Sequence, residues 1–593
     1  MDQNHLRNVA IIAHVDHGKT TLVDQLFRQS GMFRDNQEVA ERLMDSMDLE
    51  RERGITISSK NGAFLYDDYT VNIIDTPGHA DFGGQVERVL MMADGALLLV
   101  DAQEGPMPQT YFVLRKALSL NLPIIVVINK IDKPAARPHW AMDQVFDLFV
   151  QLGAPDEILD FPVVYASSRD GYAMHELEDE RRDLQPLCEL ITKHIPPPSG
   201  DSAGPLQVLV SSIDYSPYLG RLGIGKITSG SLAINQDVVL SLRDGKLVPA
   251  RITKMYRFES NQRVPADSAV CGDIVAIAGV EQVTVGCTYT DPENPCPLPP
   301  TEIDPPTLSM NFIPNDSPFA GREGTYVTSR HLNDRLQREI MSDVALHVES
   351  LGEGRGFKVS GRGELHLSIL IERMRREGYE FQVTRPQVIF KEEDGHKLEP
   401  YEELTLDVGE EYVGAVIENL GIRKGQMLSM ETADGMTRLK YSIPTRGLLG
   451  FRSEFLTDTK GLGVMGYVFD RYDRYAGDIR HRDRGVLVAM DACRTVAYAL
   501  CNLQDRGRLF VGPGIDVYRG QIVGEHCREG DLSVNPAKGK KLTNMRASGS
   551  DESVILTPPT NLSLEDCIDY IEEDELVEIT PAAIRLRKRV FKK

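Results

Sequence analysis

The stretch NVAIIAHVDHGKTTLVDQLFRQ, Asn8–Gln29, constrains this chain more than any other. A short apolar run enters a glycine-bearing turn, and an amphipathic segment leaves it. Within it, AHVDHGKT (Ala13–Thr20) meets the pattern G-x-x-x-x-G-K-[ST] except at its first position, where alanine stands. In such a loop successive backbone N–H groups converge on phosphate oxygens, and the positive end of the next helix faces them. Gly18 allows close backbone approach, Lys19 carries charge to the β- and γ-phosphates, and Thr20 offers a hydroxyl to Mg2+. Asp16, His17 and Thr21 complete the expected nucleotide-facing set. The alternative, a chance Gly-Lys-Thr, is disfavoured by the strand–loop–helix setting.

Further stretches extend the same site. DTPGH (Asp75–His79) follows the strand-like VNIID, where Asp75 can hold Mg2+ through water and Gly78 belongs to a switch. NKID (Asn129–Asp132) follows IIVVINK; the Asp132 carboxylate can accept both the ring N–H and the exocyclic amine of guanine, donors that adenine lacks there. Asn129 and Lys130 accompany it, and Ser167 and Ser168 in the stretch ASS meet the base from the other side. All lie at strand C-termini, where open α/β sheets bind ligands. RERGITI (Arg51–Ile57) reads either as a switch, with Ile55 and Thr56 ordered by the γ-phosphate, or as a strand entry whose threonine only packs. Company with the other motifs favours the switch. His14 and His17 are not read as a metal pair, since both sit inside the phosphate loop. His79 stands where many small GTPases carry a water-orienting glutamine and is the expected catalytic residue.

Five domains are expected. Residues 1–200 alternate short apolar strands with helices, as in a mostly parallel sheet covered on both faces. After the break IPPPSGD, residues 201–304 carry short strands with Gly and Asp-Gly turns, an antiparallel β-barrel. A second proline-rich break, Pro292–Pro306, precedes two mixed α+β units, 305–390 and 391–480. Residues 481–593 form a C-terminal α+β domain in which Val486–Gly507 reads as one helix, with Cys493 and Cys501 on its core face. No apolar run approaches membrane-spanning length and no signal-peptide pattern opens the chain, so a cytoplasmic protein with reduced thiols is expected.

The motifs AHVDHGKT, RGITI, DTPGH and NKID resemble those of the translational GTPases, and a barrel directly behind the nucleotide domain narrows the likeness to that class. Under it, Val15 and Ile55 are the apolar pair flanking the catalytic His79. GRGELHLSILIERMRREGYEF looks like the third domain of elongation factor G, and EPYEELTLDVGEEYVGAVIENLGIRKGQM with the residues that follow looks like its fifth, both ferredoxin-like. The stretch TRPQVIFKEEDGHKLEPYEE passes directly between them, so the domain which that factor inserts for translocation is missing. LepA and BipA (TypA) share this reduced layout. The tail, with LQDRGRLFVGPGIDVYRGQIVGEH and KGKKLTNMRASGSDE, is similar to the C-terminal domain peculiar to the BipA/TypA family.

That resemblance implies a ribosome-stimulated GTPase that binds GTP and GDP with Mg2+, in some members also ppGpp; nothing in the sequence points to an obligate oligomer, so a monomer is expected. It implies docking at the factor-binding site and large-subunit rRNA of the bacterial ribosome, with the tail reaching A-site tRNA. It also implies roles in stress or low-temperature translation and large-subunit assembly. Two alternatives stay open: a LepA-like factor that repositions tRNA, and an RNA-binding assembly factor whose nucleotide only sets its shape. In a chain of formal net charge −22, the loop Ala537–Ala547 carries Lys538, Lys540, Lys541 and Arg546 without an acid. By itself it reads as a solvated loop; under the resemblance these cations and Asn544 suit RNA phosphate, ribose and base edges. The second cluster, Arg585–Lys593, is evenly balanced between an RNA contact and a frayed tail.

Overall fold

The computed structural model describes residues 3–14, 16–30, 48–53, 56, 59–77, 83–216, 218–299, 305–343, 345–352, 354–433, 435–479, 482–538 and 555–590. The chain divides into two compact units, 1–304 with 341–344, and 305–340 with 345–593.

In the first unit the apolar runs of the nucleotide domain become β1 (Leu6–Ala13), β2 (Lys60–Tyr66), β3 (Tyr69–Asp75), β4 (Gly95–Asp101), β5 (Ile124–Asn129), β6 (Val163–Ser167) and β7 (Tyr172–Met174). They form one sheet in the order β2-β3-β1-β4-β5-β6-β7. The central pairings β3/β1, β1/β4, β4/β5 and β5/β6 are parallel; β2 and β7 are antiparallel edges. Every residue of β1, β4 and β5 is buried, as strands covered on both faces require. Helix α1 (Lys19–Gln29) seats Leu22, Leu26 and Phe27 on one face of the sheet, with Val9, Ile11, Leu97 and Leu99. All four parallel pairings end on the same side, so the loops after β1, β3, β4, β5 and β6 gather there.

The barrel domain of this unit carries an eight-stranded sheet, antiparallel at every pairing, from Leu247–Arg251 at one edge to Gln262–Pro265 at the other. It is tied to the nucleotide domain by Asp94, which accepts from Asn8 Nδ2 at 2.7 Å and Lys226 Nζ at 2.5 Å.

In the second unit two ferredoxin-like sheets appear. The first orders His347–Ser350, Phe357–Gly361, Leu308–Pro314 and Phe381–Val383, and then continues into Glu575–Ile579 and Ile584–Lys588. One sheet therefore draws strands from 305–390 and from the C-terminal span. Leu564, Cys567 and Ile568 of the helix Leu564–Tyr570 join its core beside Leu367, Leu370 and Ile371 of the helix Glu364–Arg376. The second places Met436–Pro444 and Val464–Arg474 on either side of His396–Gly409, with Gln426–Ala433 outermost.

Two sequence readings are corrected here. Val486–Gly507 is not one helix: Val486–Ala489 is a strand, Cys493–Arg494 pairs with Asp516–Val517, and only Ala497–Gln504 is helical. Strand pairing with Ile522–His526 and Leu532–Val534 overrides the helical period, so Cys493 and Cys501 share no helix face and both are half-buried. Ile584–Lys588 is neither a frayed tail nor a free basic surface. Arg587 pairs with Asp316 at 2.7 Å, Arg585 with Glu323 and Glu578, and Lys588 with Asp531, Asp574 and Glu575 at 2.7–2.9 Å.

Candidate nucleotide site

The turn after β1 is shaped by two left-handed residues, Asp16 (φ 65°) and Gly18 (φ 96°), and Gly18 caps α1. Glycine is required at 18: a Cβ there would lie 2.4 Å from Asn129 Nδ2. That amide locks two loops together. Asn129 Nδ2 donates to the His17 carbonyl at 2.7 Å, and its Oδ1 accepts from Ser168 N–H at 2.9 Å and Ser168 Oγ at 2.8 Å. Ser168 is thus a buttress for Asn129, while Ser167 Oγ donates to Asp170 at 3.1 Å. Asp16 and Thr21 are exposed, Thr20 half-buried, and His17 and Lys19 buried.

Lys19 Nζ donates to the Thr76 carbonyl at 2.6 Å and lies 2.8 Å from Asp75 Oδ1, which ties the phosphate loop to the end of β3. Thr76 Oγ1 in turn donates to the Ile11 carbonyl at 2.6 Å. Thr56 is buried. Gly78, His79, Ile55 and Val15 lie outside the described residues, as do Lys540, Lys541, Asn544 and Arg546; Lys538 is exposed.

At the base end, Lys130 adopts φ 62°, a left-handed conformation that costs a non-glycine residue about 1–2 kcal/mol. Its ammonium reaches Asp101 Oδ2 at 2.8 Å, and Lys133 Nζ reaches the same oxygen at 3.0 Å. Burial opposes ionisation of Asp101, but the hydrogen bonds from Lys130, the Gln103 amide and Lys133 prevail and hold its carboxyl below the ordinary range. Asp132 Oδ1 is buried with no hydrogen-bond partner among the described residues. A buried carboxylate oxygen left unmade is costly, and a ligand that brings N–H donors removes the cost. Guanine N–H donors suit this acceptor, and phosphate oxygens suit the turn at Gly18 and Lys19.

Sequence reading missed Thr76, Asp101 and Glu104. Contact with the His17 ring, whose Nε2 is 3.7 Å from Glu104 Oε2, outweighs burial and holds that carboxyl low. The available signal was DAQEG at the C-terminus of β4, an acid at the ligand end of the sheet.

A P-loop and a buried, unpartnered aspartate oxygen at the end of a parallel sheet, with an antiparallel barrel behind it, are the layout of a translational GTPase. Residues 4–197 match the family described as Elongation factor Tu GTP binding domain, and 220–290 match Elongation factor Tu domain 2. Residues 396–482 match Elongation factor G C-terminus, and 484–593 the TypA/BipA C-terminal domain. The chain is 54% identical over 587 residues to the Large ribosomal subunit assembly factor BipA of Salmonella typhimurium, covering 99% of this chain and 97% of that one. It is 53% identical to the protein of the same name from Synechocystis over 99% of both chains, and 52% identical to that of Haemophilus influenzae over 100% of this chain and 96% of that one. A crystal structure from Thermus thermophilus shares the fold, with TM-score 0.54 at 17% identity over 80% of this chain and 98% of that one. The chain belongs to the TypA/BipA family, and it is a GTP-using enzyme. No described helix is long and apolar enough to cross a membrane.

Proposed function

We propose that this chain hydrolyses GTP to GDP and phosphate on the bacterial ribosome and serves assembly of the large subunit. The observation that carries the reading is the juxtaposition of a cationic phosphate loop with a buried, unpartnered Asp132 oxygen, in a chain whose tail matches the TypA/BipA C-terminal domain. Asp16–Thr21 would wrap the phosphates, with Lys19 exchanging its Asp75 and Thr76 contacts for phosphate oxygens. Asn129 and Ser168 hold the base loop against the phosphate loop, and Asp132 accepts from guanine. Thr20, Thr56 and Asp75 are the residues to hold Mg2+, which when bound would neutralise charge developing on the phosphates. His79 would orient the attacking water. Ribosomal RNA acting in trans would supply the stimulus, worth about 10³–10⁵ in rate for GTPases activated this way.

The basic segment Lys538–Arg546 would contact rRNA and A-site tRNA, and ppGpp would compete at the GTP site. The protein would act as a cytoplasmic monomer in stress or low-temperature translation. The test is steady-state GTP hydrolysis with and without purified bacterial ribosomes at fixed Mg2+ and salt. Stimulation by orders of magnitude, lost in His79→Ala with ribosome binding kept, is expected. Binding without stimulation would replace this reading with a factor whose nucleotide only sets its shape.

A further inference from the structure

Beyond the motif residues, one buried side chain has no part in the mechanism above. Asp101 ends β4 between the phosphate loop and the base loop, and its side chain is fully buried. A lone structural acid needs one counter-charge; Asp101 Oδ2 takes two, Lys130 at 2.8 Å and Lys133 at 3.0 Å. These lysines flank Ile131 and Asp132, so the pair of contacts staples both ends of the base-reading turn to one point. The staple is itself anchored. The Ala102 amide donates to the Asn129 carbonyl at 2.8 Å, the Gln103 amide to Asp101 Oδ1 at 2.7 Å, and the Gly105 amide to the Asp101 carbonyl at 2.9 Å. Lys130 is left-handed, a conformation that persists where surroundings over-determine it.

We propose that Asp101 is a positioning residue for guanine recognition: by holding Lys130 and Lys133 on one carboxylate oxygen, it aims Asp132 at the base. The inference rests on Asp132 reading guanine. Without the Asp101 charge the two ammonium groups repel, the turn relaxes, and Asp132 loses its aim while the phosphate contacts persist.

The ratio of GDP to inosine diphosphate affinity isolates this aim. The two ligands differ only in the exocyclic amine, which Asp132 is to accept. The full-length protein and its Asp101→Asn, Lys133→Ala and Asp132→Asn variants are titrated with both diphosphates, and thermal stability is followed in parallel. Asp101→Asn should shrink the GDP preference about tenfold, and Lys133→Ala should shrink it partly. A merely structural Asp101 would lower the melting temperature and leave the ratio unmoved, which overturns the proposal. Should Asp101→Asn fail to fold, Lys133→Ala decides by the same ratio, an unchanged value again counting against it. If Asp132→Asn itself keeps the parent's ratio, the base-reading premise is what has failed.

Discussion

Buried carboxylates occur at the nucleotide site of the first unit and in the C-terminal sheet of the second, and they are finished differently. Glu575 is fully buried and both its oxygens are met: Arg482 binds both, Lys588 lies 2.9 Å from one, and the Glu572 amide donates to the other at 3.0 Å. Glu578 takes Asn315, Ser317 and Arg585 on one oxygen and Tyr518 on the other. Asp132, by contrast, keeps a buried oxygen with no partner among the described residues. A closed network stabilises a fold only while it is complete, because removing one member strands a buried charge. An incomplete one leaves an acceptor that a ligand's N–H donors would satisfy. The same residue type is thus closed in one place and left open in the other, where recognition of guanine is proposed.

The largest test of this contrast is Glu575→Ala. Stranding Arg482, and taking one of its three acids from Lys588, should destabilise the second unit by about 3–5 kcal/mol in denaturant unfolding, with GTP affinity unchanged. Equal stability would mean that the network is not what closes the sheet. Asp132→Asn should do the reverse. Its melting temperature should stay near the parent's, because no protein partner is lost, while guanine affinity falls about a hundredfold and preference moves toward xanthine nucleotides. Unchanged guanine selectivity in a competition assay would dissolve the contrast.

Gly18→Ala should weaken GTP and GDP alike by about tenfold, since it adds left-handed strain of about 1–2 kcal/mol and a Cβ against Asn129. Ribosome-free fluorescence titration measures this. A loss confined to base-modified analogues would place the effect at Asp132 instead. The smallest effect is the pH dependence from Asp101. Its folded carboxyl lies below the unfolded value, so its contribution is full above the unfolded range near 3.8 and is lost as pH falls through the folded one. Acid unfolding of the first unit should therefore be less steep in Asp101→Asn.

Much of the nucleotide site was legible because its residues are contiguous. AHVDHGKT and NKID each carry their chemistry within a few positions, after apolar runs long enough only for buried strands. The partners of those residues were not legible. Ser168 was read as meeting the base; its hold on Asn129, 39 residues earlier, was not legible. Asp101, well upstream of Lys130, has no local mark beyond a strand end. Val486–Gly507 misled because its apolar spacing suits a helix, and only pairing with strands farther along the chain made Val486–Ala489 extended. Arg585, Arg587 and Lys588 looked like free cations because their acids, Glu323, Asp316 and Asp531, are remote in sequence.

By itself the amino-acid sequence determined the order of strands and helices in the nucleotide domain, the phosphate loop and the turn that carries Asp132. Local chemistry suffices for these: a glycine where φ is positive, a lysine beside it, an aspartate after a buried strand. The tertiary structure decided which charges are spent inside the protein and which remain for a ligand. That choice depends on long-range neighbours, since a carboxylate is closed or open only by what packs against it.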